Sequence, residues 1–145
     1  MIHIAVSPDP IDAGAALRAI HVEGAGGVAS FTGLVRGDDG VETLELEHYP
    51  GVTEAALLHL AEGAVARWNL VGARIVHRVG AMVPGDIVVF VGTAAPHRAA
   101  ALEACAYLID RLKTDAPFWK RETLPDGARW VEQRDDDRVA AARWE

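Results

Sequence analysis

Residues 87 to 113, IVVFVGTAAPHRAAALEACAYLIDRLK, leave the fold little choice. Ile87 to Ala95 is a nearly unbroken apolar run rich in β-branched residues, the composition of a strand covered on both faces near the middle of a sheet. Pro96 stops it. From His97 the apolar period changes: Leu102, Cys105, Ala106, Ile109 and Leu112 share one side of a helix that Pro117 closes. A central strand that hands over to an amphipathic helix belongs in a layered domain, sheet against helix.

The rest of the chain fills in those layers. IHIAV, residues 2 to 6, reads as a strand, followed by a short helix at IDAGAALRAIH with Leu17 and Ile20 on one side. GVASFTGLVR alternates with period two from Gly27, and VETLELEHY does the same from Val41. The GDDG between them predicts that the two pair as a hairpin. Thr53 is placed to cap a helix over EAALLHLAEGAVARW, with Leu57, Leu60, Ala61, Ala64 and Trp68 in phase. ARIVHRVG is a further strand, MVPGD a turn, and FWKRETL and ARWVEQ form a last hairpin about PDG. RDDDRVAAARWE is a charged tail with helical character at its end. Tight turns make most strands antiparallel, so the class is α+β rather than doubly wound. The length, with no repeat or linker, predicts a single domain over residues 1–145.

Composition narrows the function. A net charge of −7 argues against a nucleic-acid binder that relies on general positive charge. The single Cys105 permits no internal disulfide and suits a reducing cytoplasm; on the apolar helix stripe it reads as a buried structural thiol. MIHIAVSPDPID lacks the pattern of a signal peptide, and no apolar run approaches the length of a membrane span. The six histidines are scattered without metal-binding spacing. GAGG at residues 24 to 27 precedes a strand instead of following one, so it reads as a flexible turn and not a phosphate loop. Neither a metal nor a cofactor is expected.

The cations are more telling. Twelve of the 14 basic residues are arginine, and both lysines, Lys113 and Lys120, fall within LKTDAPFWKRE. Arginine keeps its charge at any working pH. Lysine beside apolar surface or another cation can shed a proton and then serve as acid, base or nucleophile. Phe118 and Trp119 could form an apolar wall around Lys120. The plain alternative is a pair of solvated lysines. APHR sets His97 and Arg98 at the opening of the long helix, where free N–H groups and a forked guanidinium suit an anion; the alternative is an Arg98 facing solvent. Arg36 closes FTGLVR at the lip of a strand. If Arg36, His97, Arg98, Lys113 and Lys120 converge, they form a pocket for an anionic substrate and for proton-transfer or acyl chemistry.

FTGLVR, LEHYPGVTEAAL, HRVGAMVPGDIVVFVGTAAPHRAAALEA, LKTDAPFWKRE and RWVE, in that order from about residue 26, resemble the large, catalytic subunit family of molybdopterin synthase. The resemblance implies an α/β-hammerhead fold with an additional antiparallel β-sheet. It also implies a sulfurtransferase that places two sulfurs on cyclic pyranopterin monophosphate, forming the dithiolene of molybdopterin. The implied donor is the C-terminal Gly-Gly thiocarboxylate of a small ubiquitin-like partner. A homodimer with a small subunit at each far end, a cytoplasmic heterotetramer, is implied as well, with no nucleic-acid or membrane partner. The family's catalytic lysines fall on Lys113 and Lys120. Its other substrate-binding positions fall on Arg36, His97, Arg98 and Arg134, with His97 and Arg98 reaching the pocket from the other protomer. Two alternatives stand beside this reading: a non-catalytic docking module for a ubiquitin-like sulfur carrier, and a binder of some other phosphorylated metabolite. The chain departs from the family pattern in its short acidic GDDG loop and in Ala99 and Ala100, where small polar residues are common.

Overall fold

The computed structural model describes residues 1–131 and 135–145. The strands are β1 (Ile2–Ser7), β2 (Gly27–Leu34), β3 (Thr43–His48), β4 (Gly72–Arg78), β5 (Gly80–Met82), β6 (Ile87–Ala95), β7 (Phe118–Leu124) and β8 (Gly127–Val131). The helices are α1 (Ala13–Ala19), α2 (Val52–Trp68), α3 (Arg98–Asp115) and α4 (Asp135–Ala142). They build two four-stranded sheets, ordered β1-β4-β6-β2 and β5-β3-β7-β8. β1 runs parallel to β4 and every other pairing is antiparallel. The class is α+β, as the alternation of short strands and tight turns predicts.

β6 lies inside the first sheet, between β4 and β2, and all of it beyond Ile87 is buried. α3 packs over β6 and β2 and against α2. Each fully buried large side chain of this core, such as Phe90, Ile75, Leu57 or Leu108, contributes about 1.5–3 kcal/mol. The buried face of α3 is turned from the one its larger residues suggest. Ala101, Ala104, Cys105, Leu108 and Leu112 are inside, whereas Leu102 is 61% exposed. Alanines let the helix lie close on the sheet, close enough for the Thr93 hydroxyl to donate to the Ala101 carbonyl at 2.7 Å.

Three local expectations are corrected. β2 and β3 do not form a hairpin: β2 pairs with β6 and β3 with β5 and β7. Alternation marks both as strands, but the choice of partner follows burial, and the apolar β6 takes β2 while the chain turns through Asp38–Gly40 into the second sheet. Thr53 does not cap α2. Gly51 takes that position at φ 84°, its N–H donating to Glu54 Oε1 at 3.2 Å. Thr53 is fully buried one turn in; its hydroxyl accepts from the Tyr49 N–H at 3.0 Å and donates to the Pro117 carbonyl at 2.9 Å. The GAGG glycines are not merely a turn. A Cβ on Gly26 would lie 2.1 Å from the Pro96 oxygen, and one on Gly27 would lie 3.0 Å from the Arg98 Cα. These glycines let β2 start in contact with the start of α3.

The charged tail is helical, as expected, and α4 returns to α3. Trp144, just beyond it, packs edge-on against Trp68 and Tyr107, and its Nε1–H donates to Asp110 at 2.6 Å.

Candidate functional site

A cavity of about 670 Å³ opens where β2 and the C-terminal end of α3 face the inner side of the second sheet. The local sequence explains how the lysines reach it. Lys113 lies in the last turn of α3, where a cation is favoured by the helix dipole. Pro117 has no N–H and forces the residue before it out of helical geometry, so Ala116 is extended at φ −81°, ψ 125° and the helix stops. β7 begins at once. Period two then sends Phe118, Lys120 and Glu122 to one face and Trp119 and Arg121 to the other. The register fixes which face is which: Lys120 sits beside Leu46 of β3 and Val131 of β8, and Glu122 beside the buried Leu44.

Arg36, Lys113 and Lys120 therefore line the same cavity, brought there by the segment after β2, by α3 and by β7. Its other walls are largely apolar, with Phe31, Leu34, Leu46, Leu112 and Phe118 among them. Arg36 stands at the rim, its side chain 59% exposed and 3.7 Å from Asp38.

His97 and Arg98 are not in that cavity within one chain. They open α3, and Arg98 precedes Lys113 by 15 residues, about 22 Å along a helix rising 1.5 Å per residue. Both are exposed, beside the start of β2, while Arg36 follows its end. Arg134 lies outside the described residues. Trp119 does not wall Lys120: it is on the outer face, 51% exposed, with its ring edge-on to Tyr49 at 6.2 Å and to Trp130 at 6.3 Å. Phe118 does line the cavity.

The cavity also holds residues that sequence inspection passed over. Glu122 and Asp137 bring carboxylates, and Arg129 donates to Glu122 at 3.0 Å. Glu122 was within reach of simple alternation, two residues from Lys120 on the same strand face. Asp137 was not, since only the return of α4 carries it there. His77 of β4 lies in the wall with its ring stacked on Phe118. Burial, helped by the charges of Lys113, Lys120 and His48, lowers its pKa to about 4, against a hydrogen bond to the Arg78 carbonyl that raises it. Cys105 lies on the buried face of α3 and is not part of the cavity lining, and burial pushes its thiol up to about 11. Among the described residues no group of three or more His, Cys, Asp or Glu is arranged to hold a metal ion. Among the same residues no helix is long and apolar enough to cross a membrane.

Two amines and a guanidinium, set among apolar side chains and the carboxylates of Glu122 and Asp137, give the cavity groups that can hold an anion and move protons. A family model described as MoaE protein matches residues 6–115. The chain is 53% identical over 124 residues to the molybdopterin synthase catalytic subunit of Caulobacter vibrioides, covering 85% of this chain and 83% of that one. Among solved structures, the molybdopterin biosynthesis MoaE protein from Burkholderia ambifaria superposes with a TM-score of 0.83 at 48% identity, covering 99% of this chain and 98% of the other. A complex of subunits 1 and 2 of the molybdopterin-converting factor from Helicobacter pylori shares the fold, with a TM-score of 0.76 at 20% identity over 92% of this chain and 91% of that one.

Proposed function

This chain belongs to the MoaE protein family, and from that membership we propose that it is the catalytic, sulfur-transferring subunit of a molybdopterin synthase. Its substrate is cyclic pyranopterin monophosphate, and its sulfur comes from the C-terminal Gly-Gly thiocarboxylate of a small ubiquitin-like subunit. The observation that carries this reading is the meeting of Lys113 and Lys120, from α3 and β7, in one half-apolar cavity with Arg36 at its rim. Chance solvated lysines would have no reason to share it.

The roles follow from position and chemistry. Lys120 meets the thiocarboxylate carbonyl, as proton donor or as amine nucleophile, while Lys113 moves protons on the pterin side chain. Arg36 holds the phosphate through its fork and stabilises the charge that appears when the cyclic ester opens.

A second copy of the chain completes the anion site. β2 is an edge strand of the first sheet, and Ser30, Phe31, Thr32 and Leu34 are exposed along it. Such an edge is a ready template for pairing. Antiparallel pairing of β2 with its counterpart about a twofold axis sets the end of one β2, with Arg36, against the start of the other, with His97 and Arg98. That arrangement removes the 22 Å problem and supports a homodimer with small subunits at its far ends, a heterotetramer. A cytoplasmic setting suits the single unpaired cysteine.

The test is reconstitution. The purified chain, the thiocarboxylated small subunit and the cyclic precursor should together yield the dithiolene product. Stable capture of the small subunit with no product would instead establish the docking-module alternative.

A further inference from the structure

His77 lines the lysine cavity, and the chemistry above gives it no part. It is 6% exposed and sits on the same face of β4 as the fully buried Ala73 and Ile75. Two contacts fix it. Its Nδ1 is 2.9 Å from the Arg78 carbonyl oxygen, which can only accept, so Nδ1 carries the proton. Its ring lies over Phe118, with centroids 4.1 Å apart and planes 26° from parallel. His77 belongs to the first sheet and Phe118 to the second, so this stack ties the two sheets together at the start of β7.

That start is held from a second direction. Thr53 donates to the carbonyl of Pro117, the residue before Phe118. Lys120 follows Phe118 by two positions and shares its strand face. Between the Thr53 hydroxyl and the His77 ring, the backbone that leads into Lys120 has little freedom to shift. The charged and titratable groups that face His77 are Lys113 from α3, Lys120 from β7 and His48 from β3. With its pKa at about 4, the imidazole stays uncharged at neutral pH and adds no third cation to the lysines.

We propose that His77 is a positioning residue for the sulfur transfer: stacked on Phe118, its ring holds the start of β7 so that Lys120 keeps its place in the cavity with Lys113. This rests on the cavity being the sulfur-transfer site. A displacement of about 1 Å in a reacting group can cost about 10²-fold in rate, so a support of this kind has a kinetic signature.

The experiment compares the wild-type chain with His77→Phe, His77→Leu and His77→Ala. Each is assayed with thiocarboxylated small subunit and cyclic precursor, for kcat and for KM of the small subunit. In parallel, Lys120 of each protein alone is acetylated with acetic anhydride from pH 5 to 9 and read by peptide mass spectrometry. His77→Phe keeps a planar ring for the stack and should retain near-normal kcat and the wild-type Lys120 labelling profile. His77→Ala and His77→Leu should lose about 10²-fold in kcat with KM unchanged, and should shift the Lys120 profile. Leucine fills the space, so a collapse confined to alanine overturns the proposal in favour of simple packing. Wild-type kcat and labelling in the leucine variant, or a folded phenylalanine variant as poor as alanine, overturn it too. If the wild-type chain itself makes no product, the proposed function fails, while the labelling profiles still decide whether His77 positions Lys120.

Discussion

The two sheets share one chain and live under different rules. In the first, β6 is buried from Val88 to Ala95 and helices pack on it. In the second, β8 is exposed along all but its last residue, and the core is met by the inner face of β3 and β7 and by Met82 of β5. The first sheet acts as a wall, and the second presents charged side chains to it. Lys120 and Glu122 need the thin sheet, because a strand covered on both faces has no room for an amine. They equally need the wall, which supplies His77, Phe31 and Val88 on the opposite side.

That division predicts separable losses. Lys120→Arg keeps the charge and most of the volume, yet should cut turnover by about 10²–10⁴-fold with binding of the small subunit intact. Near-normal conversion of precursor would take Lys120 out of the chemistry and erase the contrast. Phe90→Ala in the first sheet should do the opposite, lowering unfolding free energy by about 3–5 kcal/mol in a denaturant titration. Acid sharpens the boundary between the sheets. His77 has a folded pKa of about 4 against 6.5 unfolded, so the unfolded chain binds the proton first. The His77 contribution is then nil above pH 6.5 and costs about 3 kcal/mol of stability by pH 4, and His77→Phe should remove that part of the acid loss. Trp130→Ala, on the outer face of the second sheet, should change stability by no more than about 0.5 kcal/mol. A large loss there would show that the thin sheet depends on its exposed side.

Much of this was legible in the sequence, and the failures have causes. β6 and α3 announce themselves because nine and eighteen residues carry an unmixed pattern. The lysines stand out by residue choice. What periodicity cannot supply is a partner: β2 and β3 each alternate cleanly, and nothing in either says that they part. The phase of α3 was misjudged because alanines, weak as hydrophobes, win where close approach matters. The gathering of Arg36, Lys113 and Lys120 depends on tertiary pairing. So do Asp137, which arrives on α4, and His77, which looks like one histidine among six until β7 lies over it.

The four tryptophans are shared evenly between the two regions. Trp68 and Trp144 meet at 5.8 Å among the helices, and Trp119 and Trp130 at 6.3 Å on the outer face of the second sheet. The chain therefore carries a native optical label on each part. Iodide in solution reaches the outer pair first, and whatever emission survives it reports on the helices. Because Trp119 is bonded directly to Lys120, a guest that tugs on the amine is felt one residue away by a fluorophore that needed no engineering.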